Sequence, residues 1–173
     1  MRYLLPLLLL LGGCGGCVSV TQSDMRATTL RMEFATGLCS GTAIGPDTIL
    51  TAKHCLSHPL KMVEGVQAEV IGSKLETRDT IVIKVKGVRF KHWAKRGPRP
   101  NQGDHLTFWG NPEGVPDVMR EVLVSRAWTD GLVLQATVCP GDSGAGLFNA
   151  RGEVVGIVSA VTGDRVCKFG LSL

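Results

Sequence analysis

From Leu30 onward the chain runs as short apolar stretches broken by Gly, Pro and Asp. Runs rich in Val, Ile, Leu and Thr predict strands over 30–35, 38–44, 47–52, 66–72, 80–86, 104–110, 118–127, 131–138, 145–149, 153–161 and 166–172. Turn signals such as Gly45-Pro46-Asp47 and Asn149-Ala150-Arg151-Gly152 separate them. No long stretch keeps a 3.6-residue apolar period, apart from a brief turn around 52–57. Many short strands without helices predict an all-β chain, built as a sandwich or as barrels.

Gly97-Pro98-Arg99-Pro100-Asn101-Gln102-Gly103 is the strongest linker signal. It divides the chain into a first unit over 29–96 and a second over 103–173, with 97–102 between them. No internal repeat relates the two. Of 173 residues 44% are hydrophobic, enough for a packed core, and 22 glycines fit a turn-rich chain. A net charge of +4 is too small to mark a nucleic-acid binder by bulk charge.

The N-terminus departs from this pattern. Arg2 is followed by a leucine-rich run to Leu11 and then by Gly12-Gly13-Cys14-Gly15-Gly16-Cys17. A basic start, a short apolar run and small residues read as an export signal over 1–17. The run is too short to cross a bilayer as a helix. Leu11-Gly12-Gly13-Cys14 resembles the bacterial lipobox, which implies lipidation at Cys14 and attachment to a membrane outside the cytoplasm, periplasmic or at the outer surface. Ordinary secretion and an uncleaved anchor remain open beside it. The polar residues over 18–28 read as a tether.

Six cysteines stand at 14, 17, 39, 55, 139 and 167. In an exported chain the last four read as two disulfides, for which sequence alone permits three pairings. Between 84 and 99 lie Lys84, Lys86, Arg89, Lys91, Lys95, Arg96 and Arg99 without an acid, interleaved with Phe90, His92 and Trp93. An exposed hairpin and a solvated connector account for such a segment; an anionic membrane is its next reading.

Chemistry gathers at two places. Cys139-Pro140-Gly141-Asp142-Ser143-Gly144-Ala145-Gly146 sets a serine among glycines, directly after an acid. A hydroxyl becomes a nucleophile only when a base takes its proton and donors hold the oxyanion, and glycines let backbone N–H groups converge on one point. Thr51-Ala52-Lys53-His54-Cys55 supplies an imidazole beside a cysteine, after the apolar strand at 47–52.

Together, Thr51-Ala52-Lys53-His54-Cys55 and Gly141-Asp142-Ser143-Gly144 resemble the histidine and serine motifs of the chymotrypsin/trypsin-like serine peptidases, in that family's order. Gly103 through Gly110-Asn111-Pro112-Glu113-Gly114 is similar to the opening of the second barrel in compact bacterial members. The resemblance runs from about residue 30 to the end. It implies two packed antiparallel barrels of the six-stranded type with the active site between them. It also implies bridges Cys39–Cys55 and Cys139–Cys167. Ser143 is then the nucleophile, His54 the base, and the N–H groups of Gly141 and Ser143 the oxyanion hole. Asp79, before Thr80-Ile81-Val82-Ile83, resembles the family's orienting acid; Asp104 and Glu76 are the alternatives. The family's pairing of Asp142 with a new N-terminus has no visible counterpart, so internal donors are expected there.

By the same resemblance Thr137 lies at the base of the specificity pocket and Ser159, Val161 and Gly170 line it. A non-acidic Thr137 points away from Arg or Lys and toward small or medium uncharged side chains. The implied function is an exported, membrane-tethered serine endopeptidase acting on proteins or peptides as a monomer, with no cofactor or metal and no nucleic-acid partner. The competing reading is a non-catalytic binding module on the same fold that uses the basic 84–99 segment.

Overall fold

The computed structural model describes residues 21–162 and 169–172. Fourteen strands in this part form two seven-stranded antiparallel sheets. The first contains β1 (Thr29–Phe34), β2 (Gly37–Gly45), β3 (Thr48–Ala52), β4 (Leu60–Val63), β5 (Val66–Gln67), β6 (Glu69–Leu75) and β7 (Thr80–Lys86), in the order β5-β4-β1-β2-β3-β7-β6. The second contains β8 (His105–Gly110), β9 (Val118–Trp128), β10 (Gly131–Gln135), β11 (Gly146–Phe148), β12 (Val154–Ile157), β13 (Ala160–Thr162) and β14 (Phe169–Ser172), in the order β12-β11-β8-β9-β10-β14-β13. Both sheets curl, and the fold is nearly all-β.

The apolar pattern explains the central strands. In Thr80-Ile81-Val82-Ile83-Lys84-Val85-Lys86 the odd positions Ile81, Ile83 and Val85 are buried, while Lys84 and Lys86 face out. Gly41 lets β1 and β3 close on β2, since a Cβ there would lie 2.6 Å from the Met32 sulfur and 2.7 Å from Ile49. The two cores are not sealed from each other. The cluster under the first sheet continues into Trp109, Phe148, Val154 and Ile157 of the second. Trp109 meets Phe148 edge to face, with centroids 6.1 Å apart.

Four elements differ from the sequence expectation, among them the strand expected over 66–72, which breaks at Ala68 into β5 and β6 at opposite edges of the sheet. β4 was not foreseen, because Leu60 and Val63 are buried with Lys61 and Met62 exposed between them, which matches no period of two. Glu64 and Gly65, with φ of 52° and 73°, then turn the chain as a primed hairpin requires. The expected strand over 153–161 is broken at Val158-Ser159, which the site uses. Within the expected tether, Gln22–Arg26 forms a short helix, α1, capped by Thr21 and Asp24, and Met25 is buried in the first core. The export signal and Cys14 lie outside the described residues. Among the described residues no helix is long and apolar enough to cross a membrane.

Candidate active site

His54 stands on a 3-10 turn, Lys53–Ser57, directly after β3. β3 pairs with β7 in a register that sets Ala52 opposite Thr80, which brings the residue before β7, Asp79, alongside the residues after β3. The Asp79 carbonyl accepts from Lys53 N–H at 2.6 Å. Its carboxylate accepts from His54 N–H at 3.0 Å and meets His54 Nδ1 at 2.8 Å. Both backbone and ring of His54 are therefore fixed by one acid. The ring contact leaves Nε2 to face outward, and the His54 side chain is 48% exposed against 16% for Asp79.

Asp79 has a third donor, the hydroxyl of Ser159. Burial pushes the Asp79 carboxyl up, but the hydrogen bonds from Ser159 and His54 outweigh it and hold the group below its ordinary value. It thus stays an anion able to orient an imidazole. The two alternative acids are engaged elsewhere: Glu76 pairs with Arg96 at 2.8 Å, and Asp104 caps the N–H of Asn101 at 2.8 Å.

Cys39 on β2 and Cys55 next to His54 are joined by a disulfide. Cys39, His54 and Cys55 present sulfur and nitrogen within 4.8 Å of one another. Sulfurs spent in a disulfide are not thiolates, so this trio is a brace for the histidine turn rather than a metal set.

Ser143 lies in the turn between β10 and β11. Its hydroxyl donates to the Ser159 carbonyl at 3.5 Å. Its own carbonyl accepts from Ser40 N–H at 2.8 Å, so β2 of the first sheet grips the serine turn of the second. Gly141 and Gly144 have φ of 100° and 89°. A Cβ at Gly141 would fall 2.1 Å from the Asn111 carbonyl, and one at Gly144 2.1 Å from the Ser40 carbonyl. Only glycine fits either place. Among the described residues neither Gly141 N–H nor Ser143 N–H has an acceptor, whereas the neighbouring Asp142 N–H bonds Cys139 and Gly144 N–H bonds Val158.

Known proteins bear on this arrangement. A family model described as the trypsin-like peptidase domain matches residues 39–157, most of the chain. The chain belongs to the trypsin-like peptidase family. Over 106 residues it is 29% identical to a probable periplasmic serine endoprotease, DegP-like, of Buchnera aphidicola. That alignment takes in 55% of this chain and only 23% of the relative's length. Solved structures share the chymotrypsin-like fold. A mutant of an M. tuberculosis H37Rv protein in its inactive form superposes with a TM-score of 0.72 at 18% identity, covering 87% of this chain and 82% of that one. A Glu endopeptidase gives 0.68 at 17%, covering 89% of each. A serine endoprotease from Yersinia pestis gives 0.67 at 21%, covering 88% of this chain and 62% of that one.

In this trypsin-like domain Asp142 is fully buried, and its partners are internal. Oδ2 accepts from Arg120 at 2.7 Å and from Cys139 N–H at 2.8 Å, while Oδ1 has no partner among the described residues. Burial pushes this carboxyl up, against the pull of the Cys139 N–H and of Arg120. Arg120 sits on β9 opposite Phe108 of β8 and lies over its ring, 5.1 Å from the centroid. Sequence reasoning expected internal donors without naming Arg120, because an arginine among the polar positions of a strand gives no sign of its partner.

It also missed Ser40 and Asn111. Both are buried; Asn111 Nδ2 donates to Ser40 Oγ at 2.9 Å, and that hydroxyl donates to the Gly141 carbonyl at 2.8 Å. Of the residues assigned to the pocket, Thr137 is exposed and Ser159 is committed to Asp79 through its side chain. Val161 on β13 and Gly170 on β14 are directly paired across the ladder. Cys139 has no disulfide partner among the described residues, and its expected partner Cys167 lies outside them.

Proposed function

We propose that this chain is an exported serine endopeptidase that cleaves peptide bonds through an acyl-enzyme. The observation that carries the reading is the doubly bonded His54–Asp79 pair, set beside a serine turn that offers two unengaged N–H donors. Ser143 Oγ attacks the scissile carbonyl as His54 Nε2 takes its proton. Gly141 and Ser143 N–H groups hold the oxyanion. Asp79 stabilises the imidazolium, which returns the proton to the leaving amine. Water, activated by the same imidazole, then releases the acyl group and restores the Ser143 hydroxyl.

Thr137 gives the pocket base no negative charge, which supports small or medium uncharged side chains at the cleavage site. The lipobox-like Leu11-Gly12-Gly13-Cys14 supports a lipid anchor on Cys14, and the DegP-like relative, named as periplasmic, supports the same side of the membrane. The experiment is peptide-library hydrolysis by the wild type, Ser143→Ala and His54→Ala. Cleavage after uncharged residues that both substitutions abolish is expected; cleavage that persists in either removes the proposed triad. Mass spectrometry of the mature N-terminus tests the anchor: a diacylated Cys14 is expected, and an unmodified start beyond Cys17 excludes it.

A further inference from the structure

The pole of the molecule opposite the candidate site carries a groove of about 570 Å³ between α1, residues 91–95 and the turn joining β11 to β12. Hydrogen bonds fix its position. Ala94 N–H and the Thr28 carbonyl both bond Ala43, Phe90 N–H bonds the Pro46 carbonyl, and Val154 N–H bonds the Lys95 carbonyl. Pro46 precedes β3 and His54 follows it, so the strand sets them apart by roughly 13 Å of extended chain. In the second sheet, the turn over 149–153 closes the end of β11 and β12 away from Ser143 and Ser159.

The groove has a particular chemistry. Trp93 is 49% exposed, an unusual place for the largest aromatic side chain. Lys91 and Lys95 flank it, both exposed, and neither has an ion-pair partner among the described residues. The acids present are engaged: Asp24 caps Thr21, and Glu153 bonds Arg151 and Asn149, with Lys95 near enough to add a charge attraction to Glu153. By contrast Lys84, Lys86 and Arg96, in the same basic segment, face Asp47, Glu69 and Glu76. Of the other cations, Arg99 donates to the Trp128 and Gly131 carbonyls and Arg89 is exposed outside the groove. Lys91 and Lys95 are thus two of the segment's three cations whose side chains have no hydrogen-bonded or ion-paired partner among the described residues, and both line the groove. The polypeptide also enters the fold here, since α1 forms one wall and begins next to Thr21, immediately after the twenty residues that include the leucine-rich run.

The geometry points to an anionic membrane surface as the occupant of this groove. Trp93 inserts its ring at the headgroup level, where an amphipathic aromatic is most favourable, and Lys91 and Lys95 meet lipid phosphates. The membrane then lies at the pole where the N-terminal segment leaves the fold, and His54 and Ser143 face away from it toward substrate. This inference stands apart from the peptidase reading, because none of its residues belongs to the proposed triad.

Co-sedimentation of the full chain with phosphatidylcholine vesicles, with and without phosphatidylglycerol, tests it. Attachment through an apolar N-terminus alone does not distinguish the two compositions, so the increment on anionic vesicles reports this face. The wild type is expected to show that increment and to lose it at high salt. Lys91→Gln and Lys95→Gln should each lower it about fivefold. Trp93→Ala should lower binding further, with thermal unfolding unchanged as the check on folding. Equal partition of the wild type onto both compositions overturns the inference, as does an unchanged increment in the lysine variants. Displacement by a soluble acidic peptide at charge-matched concentration, or self-association that the same variants abolish, would reassign the face to a polypeptide or to a second copy and overturn it too.

Discussion

The Ser40 hydroxyl, on the first sheet, donates a 2.8 Å hydrogen bond to the carbonyl of Gly141, on the second. Asn111 stands behind it, donating to the same hydroxyl at 2.9 Å. Three buried groups thus fix the peptide after Gly141, next to the N–H groups assigned to the oxyanion. The two sheets are joined at the turn that carries Ser143, so that turn owes its shape to both of them.

Ser40→Ala should therefore cost more in turnover than in binding. It leaves the Gly141 carbonyl and the Asn111 amide buried without a partner, a loss of about 1–3 kcal/mol in stability. Loosening of the turn should lower kcat about ten- to a hundredfold with KM nearly unchanged. Steady-state kinetics with one peptide checks this, and equal falls in kcat and rise in KM would point to a general packing defect instead.

Arg120→Met should destabilise the fold strongly at neutral pH, by about 3–5 kcal/mol, since it leaves the buried Asp142 carboxylate unpaired. The sign of the pH effect follows from the raised Asp142 carboxyl. A raised folded value contributes stability that is complete below the ordinary 3.8 and is lost as pH rises from there through the raised folded value. Hence the penalty of Arg120→Met should shrink in acid, where Asp142 is protonated. Combining it with Asp142→Asn should recover much of the loss. Denaturant titrations at acid and neutral pH measure both effects.

Asp79 behaves in the opposite sense. Its folded carboxyl lies below 3.8, so its contribution is complete above 3.8 and is lost as pH falls through the lower folded value. Asp79→Asn should remove that acid-side loss from the stability profile. It should also lower kcat by about four orders of magnitude through the wrong imidazole tautomer, the effect known for the corresponding substitution in a family member. Thermal unfolding against pH, with kinetics on the same variant, separates the two consequences.

Cys39–Cys55 closes a short loop, with a sequence separation of 16. Replacing both by serine should cost about 3 kcal/mol on a chain-entropy account. Since Cys55 adjoins His54, the double variant should lose activity below the temperature at which its circular dichroism changes. Parallel melts followed by both signals check this.

Much of this was legible along the chain. The period of two in Ile81-Val82-Ile83-Lys84-Val85-Lys86 announces β7, and Asp79 gains its place because β7 pairs with β3 just before His54. Gly141 and Gly144 are demanded by contacts under 2.5 Å that any side chain would make. Pairings between distant polar residues were not legible. Ser40, Asn111 and Arg120 sit 101, 71 and 22 residues from their partners Gly141, Ser40 and Asp142, and no local pattern links them. Ser159 reads as a pocket residue from its neighbours, yet its hydroxyl bonds Asp79 across 80 residues of sequence. The basic run over 84–99 reads as one patch until the fold gives Lys84, Lys86 and Arg96 their acids, turns Arg99 onto the Trp128 and Gly131 carbonyls and places Lys91 and Lys95 along the groove.

The central claim is that Ser143 is a nucleophile made reactive by His54. The most direct measurement is labelling of the folded protein with a fluorophosphonate, followed by peptide mapping of the adduct. A single phosphonylated peptide containing Ser143, formed in the wild type and lost in Ser143→Ala and His54→Ala, is the predicted result. No adduct on Ser143 in folded, oxidised protein, or an equal yield in His54→Ala, would contradict it.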